Sequence, residues 1–272
     1  MQVFCDYCKQ GIVGNYTISE GKNYHIFCFE NHIQLKCSYC KHGITGQYLL
    51  DDWGNKVCGT HQLKQCSSCN RIIIDNTKLT LVNERYYCSN CMVSAINNTN
   101  ALQSSYSKII SLFNQHGIQN VPATVPVNIV DEKTLRLNAK HVSAPNLRGF
   151  ALTSYTRQGY LSAKIFSHTI YILSGMPLIE FESVLAHELL HTWLNQNEIK
   201  MSTQETEGFC NLGSYLVLSK ANTKHASILF RSMIENPDIN YGVGFRNMLK
   251  DLGKKGWHKL VSDVKGTKKS FW

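Results

Sequence analysis

With 272 residues the chain is long enough for two domains, one of them with a sizeable apolar core, and 43% hydrophobic against 17% charged residues is a globular composition. No apolar run reaches the ~18 residues of a membrane span; the nearest, "TIYILSGMPLI", is broken by Gly175 and Pro177. The formal charge of +9 is moderately basic and gathers in the tail, where Lys250, Lys254, Lys255, Lys259, Lys265, Lys268 and Lys269 suit a solvated helix face; no aromatic-interleaved basic motif points to nucleic acid.

The N-terminus, "MQVFCDYCKQ", has neither an apolar core nor a cleavage site, so a reducing, cytoplasmic setting is expected. Ten of the 11 cysteines lie in residues 5–91, and Cys210 stands apart as a small buried residue. The others fall into C-x-x-C, H-x-x-C and C-x-x-H pairs. Two residues between ligands let both side chains of a tight turn meet one tetrahedral ion, and two pairs flanking a hairpin close a site. In chain order this predicts three structural zinc sites: Cys5, Cys8, His25, Cys28; then Cys37, Cys40, Cys58, His61; then Cys66, Cys69, Cys88, Cys91. Exchange of partners between adjacent knuckles is the alternative. A disulfide framework is disfavoured by the missing signal and by histidine in two of the sets.

The segments repeat. "CKQGIVGNY" from Cys8 returns as "CKHGITGQY" from Cys40 and more faintly as "CNRIIIDNT" from Cys69, each followed by turn residues, "SEGKN", "DDWGN" and "VNER". Three stacked zinc hairpins are expected over residues 1–93, with metal in place of a core. His32 and His42 fall outside the pair pattern and are read as surface residues, Trp53 and Trp257 as packing residues.

Residues 94–272 change character. A helix over 94–117 ends at Gly117; strands are expected at 125–130, 148–156 and 168–173, with 131–140 a short helix or turn and the last two strands joined near Gly159. A five-turn helix follows over 179–197. The next, 202–220, opens with a capping-box pattern at Ser202 and Glu205. Helices at 222–235, 243–252 and 256–264 complete an α+β class.

The five-turn helix carries "VLAHELLHTW". His187 and His191, four apart, share one helix face and can reach one ion, while Glu188, one step round, can reach a water beside it. The surrounding Leu185, Ala186, Leu189, Leu190 and Trp193 make unpaired polar groups costly there. A third ligand is expected sixteen residues after His191 at Glu207, ahead of the small Gly208 that close helix approach needs. Glu205 is the competing carboxylate, better suited to the cap. The strand "HTIYIL" is expected as an edge onto which an extended peptide adds. Tyr241 and Arg246 in "YGVGFR" are candidate oxyanion donors, unless Gly242 and Gly244 make that segment a structural turn. Arg148 is read as a packing or strand-end residue, and Asn211 as a partner that orients Glu207. His116, His141, His168, His225 and His258 have no partner spacing and are read as structural.

"HELLHTWLNQNEIKMSTQETEGFC" resembles the H-E-M-M-H-x-W-L…S-x-x-x-x-E-G-x-C segment of the LIM-associated zinc peptidases, the ubiquitin-activated enzymes that restrict organ growth in plants, with shorter relatives elsewhere. "RGFALT", "ILSGMPLIEFESVLAHE" and "NYGVGFRNM" are similar to further motifs of that family, as is the eight-residue gap between Cys28 and Cys37. The resemblance covers nearly all of 1–98 and most of 145–250. It implies a LIM-like zinc region followed by a gluzincin-type metallopeptidase domain, with catalytic zinc on His187, His191 and Glu207 and with Glu188 as base. It also implies protein or peptide substrates and ubiquitin or another protein as activator. The competing readings are a non-catalytic LIM-like adaptor and, less well supported because the knuckles offer no recognition helix, a nucleic-acid binder.

Overall fold

The computed structural model describes residues 2–96, 99–140, 142, 146–159 and 162–267; His141, Lys268 and Lys269 lie outside them. The chain divides into two compact units, Met1–Cys66 with Asn70–Leu79, and Ser67–Cys69 with Thr80–Trp272.

The first unit is built from repeated knuckles and hairpins. β1 (Tyr16–Ser19) pairs antiparallel with β2 (Lys22–His25), which runs into the short helix α1 (Ile26–Cys28); β3 (Tyr48–Leu50) pairs with β4 (Lys56–Cys58). Glu20 and Gly21, at φ 50° and 74°, make the two-residue turn between β1 and β2, the left-handed geometry that matches strand twist. The residue after the C-x-x-C of each of the first two sets is also left-handed and donates back to the first cysteine: Lys9 to the Cys5 carbonyl at 2.8 Å and Lys41 to that of Cys37 at 2.9 Å. The longer turn after β3 is organised by Asp51, whose carboxylate accepts from the backbone N–H groups of Trp53, Asn55 and Ile72 at 2.8–2.9 Å. Trp53 is a packing residue, stacked 4.0 Å under the Arg71 guanidinium; His32 stacks on Tyr7.

The third hairpin pairs β5 (Leu79–Val82) with β6 (Arg85–Cys88) through the left-handed pair Asn83 and Glu84. Asn83 Nδ2 donates to the Ser174 carbonyl and hydroxyl at 3.2 and 3.1 Å, and past the helix α2 (Ser89–Val93) the Ser94 carbonyl accepts from Leu178 N–H at 2.8 Å. These bonds tie the hairpin to the turn before the HELLH helix. The compact units part at Leu79/Thr80, at the start of this hairpin.

Helix α3 (Thr99–Gln115) buries Ser105, Ile109 and Phe113 at four-residue spacing and ends in a Schellman cap, with Gly117 at φ 82° and Ile118 N–H bonded to the Phe113 carbonyl at 3.0 Å. β7 (Val127–Val130), α4 (Glu132–Asn138), β8 (Gly149–Thr156) and β9 (Ile165–Leu173) follow. The sheet order is β7-β9-β8, parallel between β7 and β9, antiparallel between β8 and β9. The strand containing "HTIYIL" is therefore central. The edge-strand expectation moves to β8, because the chain from β7 crosses over and places β9 between its neighbours.

Against this sheet packs α5 (Leu178–Gln196); α6 (Thr203–Lys220) packs on α5, and α7 (Lys224–Glu235) and α8 (Gly244–Gly266) pack on α6, α8 being broken at Gly256 (φ 72°) into two segments near those expected. The capping box is present: Ser202 Oγ accepts from Glu205 N–H at 3.2 Å and Glu205 Oε2 from Ser202 N–H at 2.9 Å. Trp193, Phe113, Phe181, Phe209 and Phe245 are fully buried in one core. His116 bonds the Leu112 carbonyl and meets Trp257 edge-on, and His168 lies between Thr153 and Gln196, so both are structural as expected. Among the described residues no helix is long and apolar enough to cross a membrane. The architecture is mixed helix and sheet with N-terminal Cys/His clusters, which bears out the α+β class.

Candidate metal centres and active site

The eleven cysteines, all among the described residues, form no disulfide. Ten of them, with His25 and His61, gather into the three sets read from the sequence, each with its ligand atoms within 4.8 Å of one another. A tetrahedral ion with bonds of about 2.3 Å needs sulfur–sulfur edges of about 3.8 Å. Cys69 and Cys88 Sγ stand 3.7 Å apart, and His25 Nδ1 is 3.4 Å from Cys8 Sγ and 3.9 Å from Cys28 Sγ. The electrostatics agree. Burial raises Cys5 and Cys37, yet knuckle N–H groups bring both down to about 6; burial and the neighbouring thiols push Cys28 and Cys58 up to about 11. Such mutual repulsion is what a divalent cation among the four ligands cancels.

The fourth group, His187, His191 and Glu207, comes from α5 and α6. Three acceptor atoms converge. His187 Nε2 is 3.0 Å from His191 Nε2, and Glu207 Oε2 is 3.2 and 3.5 Å from the two. Metal–nitrogen bonds of about 2.0–2.1 Å give tetrahedral edges near 3.3 Å, so the trio fits an ion such as zinc. His187 Nδ1 faces Asn211 Oδ1 at 2.9 Å, while Asn211 Nδ2 donates to the Tyr241 carbonyl at 3.0 Å. An amide oxygen can only accept, so Nδ1 carries the proton and Nε2 keeps its lone pair for the shared point. Asn211 thus orients His187 rather than Glu207, as one helical turn on α6 carries it past the carboxylate to the far side of the imidazole. Glu207 Oε2 is buried without a conventional hydrogen bond; burial raises this carboxyl, but the two imidazoles outweigh it and hold the group well below the ordinary carboxylate range.

Glu188 is 6% exposed and pushed up to about 7, chiefly by burial and further by the Glu207 charge, while His191 and an N–H donated by Ala151 oppose. β8 comes this close because of Gly149. A Cβ there would stand 2.6 Å from Val184 Cγ1 and 2.7 Å from Glu188 Oε1. The close approach between α5 and α6 is made by Gly213, 2.8 Å from the Ala186 carbonyl at its would-be Cβ, and not by Gly208, which faces the Gly244 carbonyl of α8.

The remaining candidates separate. Tyr241 lines the cleft and its ring lies 6.5 Å from that of His187, its hydroxyl raised by burial. Arg246 is used elsewhere: its NH1 donates to the carbonyls of Ile234 and Asn236 at 2.7 and 2.8 Å, and it is not among the residues lining the cleft. This is the structural-turn alternative, and would-be Cβ contacts of 1.9 Å at Gly242 and 2.3 Å at Gly244 support it. Arg148 pairs with Glu180 and donates to the Ser67 carbonyl. Cys210 is fully buried, its thiol raised well above the ordinary value by burial, as expected of a packing residue. Gly149, Ala151 and Glu180 carried no spacing signal in the sequence.

Residues 113–234 match the family described as "DA1-like: Protein DA1". The chain is 25% identical over 307 residues to "Protein DA1-related 2" of Arabidopsis thaliana, covering 96% of this chain and 58% of that protein. It is 25% identical to "LIM domain-containing protein HDR3" of Oryza sativa subsp. japonica over 78% of this chain and 50% of that one. It is 27% identical to "Protein DA1" of Arabidopsis thaliana over 78% and 46%. The chain spans about half the length of these relatives.

Proposed function

We propose that this chain, which belongs with the DA1-like proteins, is a zinc-dependent endopeptidase acting on protein substrates, its hairpin region contacting substrate or activator. One observation carries the reading: two imidazole nitrogens and a carboxylate oxygen converge beside a buried Glu188 whose carboxyl lies near neutrality. His187, His191 and Glu207 would hold the catalytic ion, and the three N-terminal sets would hold structural zinc. A zinc ion in such a three-residue site acts as a Lewis acid on a carbonyl and makes water acidic.

The chain's own residues supply the rest. Asn211 keeps His187 in the ligating tautomer. Glu188 accepts the proton of the attacking water on its carboxylate and returns it to the leaving amine, with Ala151 N–H fixing its orientation. Among the described residues no strand pairs with the outer edge of β8, beside Glu188. Ala151 lies opposite Ile170, whose N–H bonds β7, so the N–H and carbonyl groups of Gly149 and Thr153 and the carbonyl of Ala151 face away from β9, while the Ala151 N–H is taken by Glu188. An extended peptide can add there. Tyr241 is the candidate donor to the developing oxyanion; Arg246 is not.

Glu188→Gln should keep four zincs per chain and lose peptide cleavage by about 10²–10⁴-fold. Cleavage at the wild-type rate by that variant removes the mechanism. The adaptor reading is favoured by exposed apolar side chains of the hairpins, Phe27 at 70% and Leu50 at 60%. Metal content separates the two: four zincs for the enzyme, three for the adaptor.

A further inference from the structure

The cleft holding the triad, about 550 Å³, continues along one face of α5 away from the metal ligands. Residues 180, 184, 187, 188 and 191 recur at helical spacing on that face. Glu180 lies seven residues before His187, about 10 Å along the helix axis. Between them the wall is formed by Ser183 and Val184, and across the cleft by Leu229 and Met233 of α7.

Glu180 is an anomaly in such a place. It is 2% exposed, its Oε1 accepts from Arg148, and its Oε2 is buried with no hydrogen-bond partner. A buried carboxylate oxygen left unmatched carries a desolvation penalty that nothing offsets, and native interiors rarely carry one without a use. Arg148 occupies Oε1, and Oε2 is the acceptor left over. Ser183, Val184, Leu229 and Met233 are apolar or neutral; besides Glu188 and the triad, the other charged groups lining the cleft are Arg148, which pairs with Glu180, and Asp238, whose Oδ1 accepts from the N–H groups of Asn240 and Tyr241. That is the arrangement of a pocket that admits a long stem and tests its tip.

We propose that Glu180 is a specificity-determining residue: Oε2 receives the terminal N–H donor of a long substrate side chain, that of lysine, arginine or glutamine, from a residue flanking the scissile bond. The assignment rests on the endopeptidase reading for its cleavage consequence, but the pocket's binding preference stands independently of turnover. Lysine, arginine and glutamine have the length to reach past Val184 and the donor to satisfy the oxygen. A norleucine of matching length leaves it bare, and a glutamate opposes it.

The test uses zinc-loaded full-length protein and fluorogenic peptides in which each position flanking the cleaved bond is lysine, arginine, glutamine, norleucine or glutamate. Wild type should favour the donor-bearing residues over norleucine by about tenfold or more in kcat/KM, because a site built to hydrogen-bond a group rejects its analogue lacking that group. Glu180→Gln keeps an oxygen for Arg148 and turns a donor toward the cleft. The donor preference should then fall to near one, and glutamate peptides should gain. Ratios within one variant cancel any change in folded fraction. Equal cleavage of lysine and norleucine peptides by wild type, or an unchanged ratio in Glu180→Gln, overturns the assignment and leaves the peptidase reading intact. The same peptides titrated by fluorescence anisotropy supply a second readout. If no peptide is cleaved, the peptidase reading fails, and the lysine-to-norleucine Kd ratio with its loss in Glu180→Gln still decides the pocket: a ratio of ten supports it, a ratio of one refutes it.

Discussion

The first compact unit and the helical second one are held together by different means. Around its first two clusters the first unit buries Tyr24, Val57 and Ile72 besides cysteines, while Val13, Ile18, Phe27 and Leu50 stay exposed. Around α5 the second unit buries Leu185, Ala186, Leu189, Leu190, Trp193 and Leu194 in a single core that continues into α3, α6 and α8. One region is too thin to fold on apolar burial and needs cross-links. The other has burial to spare and can hold five polar side chains, Glu180, His187, Glu188, His191 and Glu207, in a cleft at its centre. Metal at the Cys/His sets would be a structural necessity; at His187, His191 and Glu207 it would be a functional ligand on a scaffold that already has an apolar core.

The largest effect that would break this comparison comes from stripping the metal. Structural zinc contributes an apparent folding free energy of about 10–16 kcal/mol in small domains. Treatment with a strong chelator should therefore abolish hydrogen-exchange protection at the N–H groups of Lys9 and Lys41 while leaving that of Leu189 and Leu190 in place; equal loss in both regions would show that α5 also depends on metal. Next in size is Gly149→Ala. Its methyl group collides with Val184 and Glu188, so kcat/KM should fall by about 10²-fold through displacement of the base, with about 1–3 kcal/mol of overpacking in urea unfolding. A variant that keeps full activity would mean the β8–α5 contact does not set Glu188.

Asn211→Ala sharpens the contrast between kinds of site. Loss of the partner that fixes the His187 tautomer should weaken the fourth metal about 10–100-fold and leave the thiolate sites untouched, as read by competitive chelator titration. The smallest effect concerns Asp51. Burial raises this carboxyl, but the donors from Asn55, Ile72 and Trp53 outweigh it and hold it below its ordinary value. A depressed carboxylate stabilises the fold above its unfolded pKa, and that contribution disappears as pH falls through the folded one. Asp51→Ala should cost the hairpin unit about 1–3 kcal/mol at neutral pH, with the gap to wild type narrowing below about pH 4; a gap independent of pH would place the effect in packing instead.

The Cys/His sets were legible because their spacing is local: a two-residue gap and a hairpin turn dictate which side chains can meet. The capping box at Ser202 and Glu205 and the Gly117 cap were legible for the same reason. The edge strand was not. That β8 rather than β9 is free depends on a crossover from β7, which side-chain periodicity does not encode. Arg246 misled because a basic residue beside two glycines reads as a donor, whereas the carbonyls of Ile234 and Asn236 claim it only after the chain has turned. Asn211 was recognised as a partner, but its target changed from carboxylate to imidazole because α6 crosses α5 where Gly213 allows.

By itself the sequence determined which residues can share a metal, since ligand type and spacing along a helix or knuckle are short-range constraints. It determined too that α5 would be buried, since its apolar residues encircle the motif. Only the tertiary structure decided which strand lies open beside Glu188, which nitrogen of His187 is free, and that Glu180, in the cleft lining, keeps a buried oxygen unmatched. Those depend on how distant segments approach one another, and close approach is set by packing between elements rather than by order along the chain.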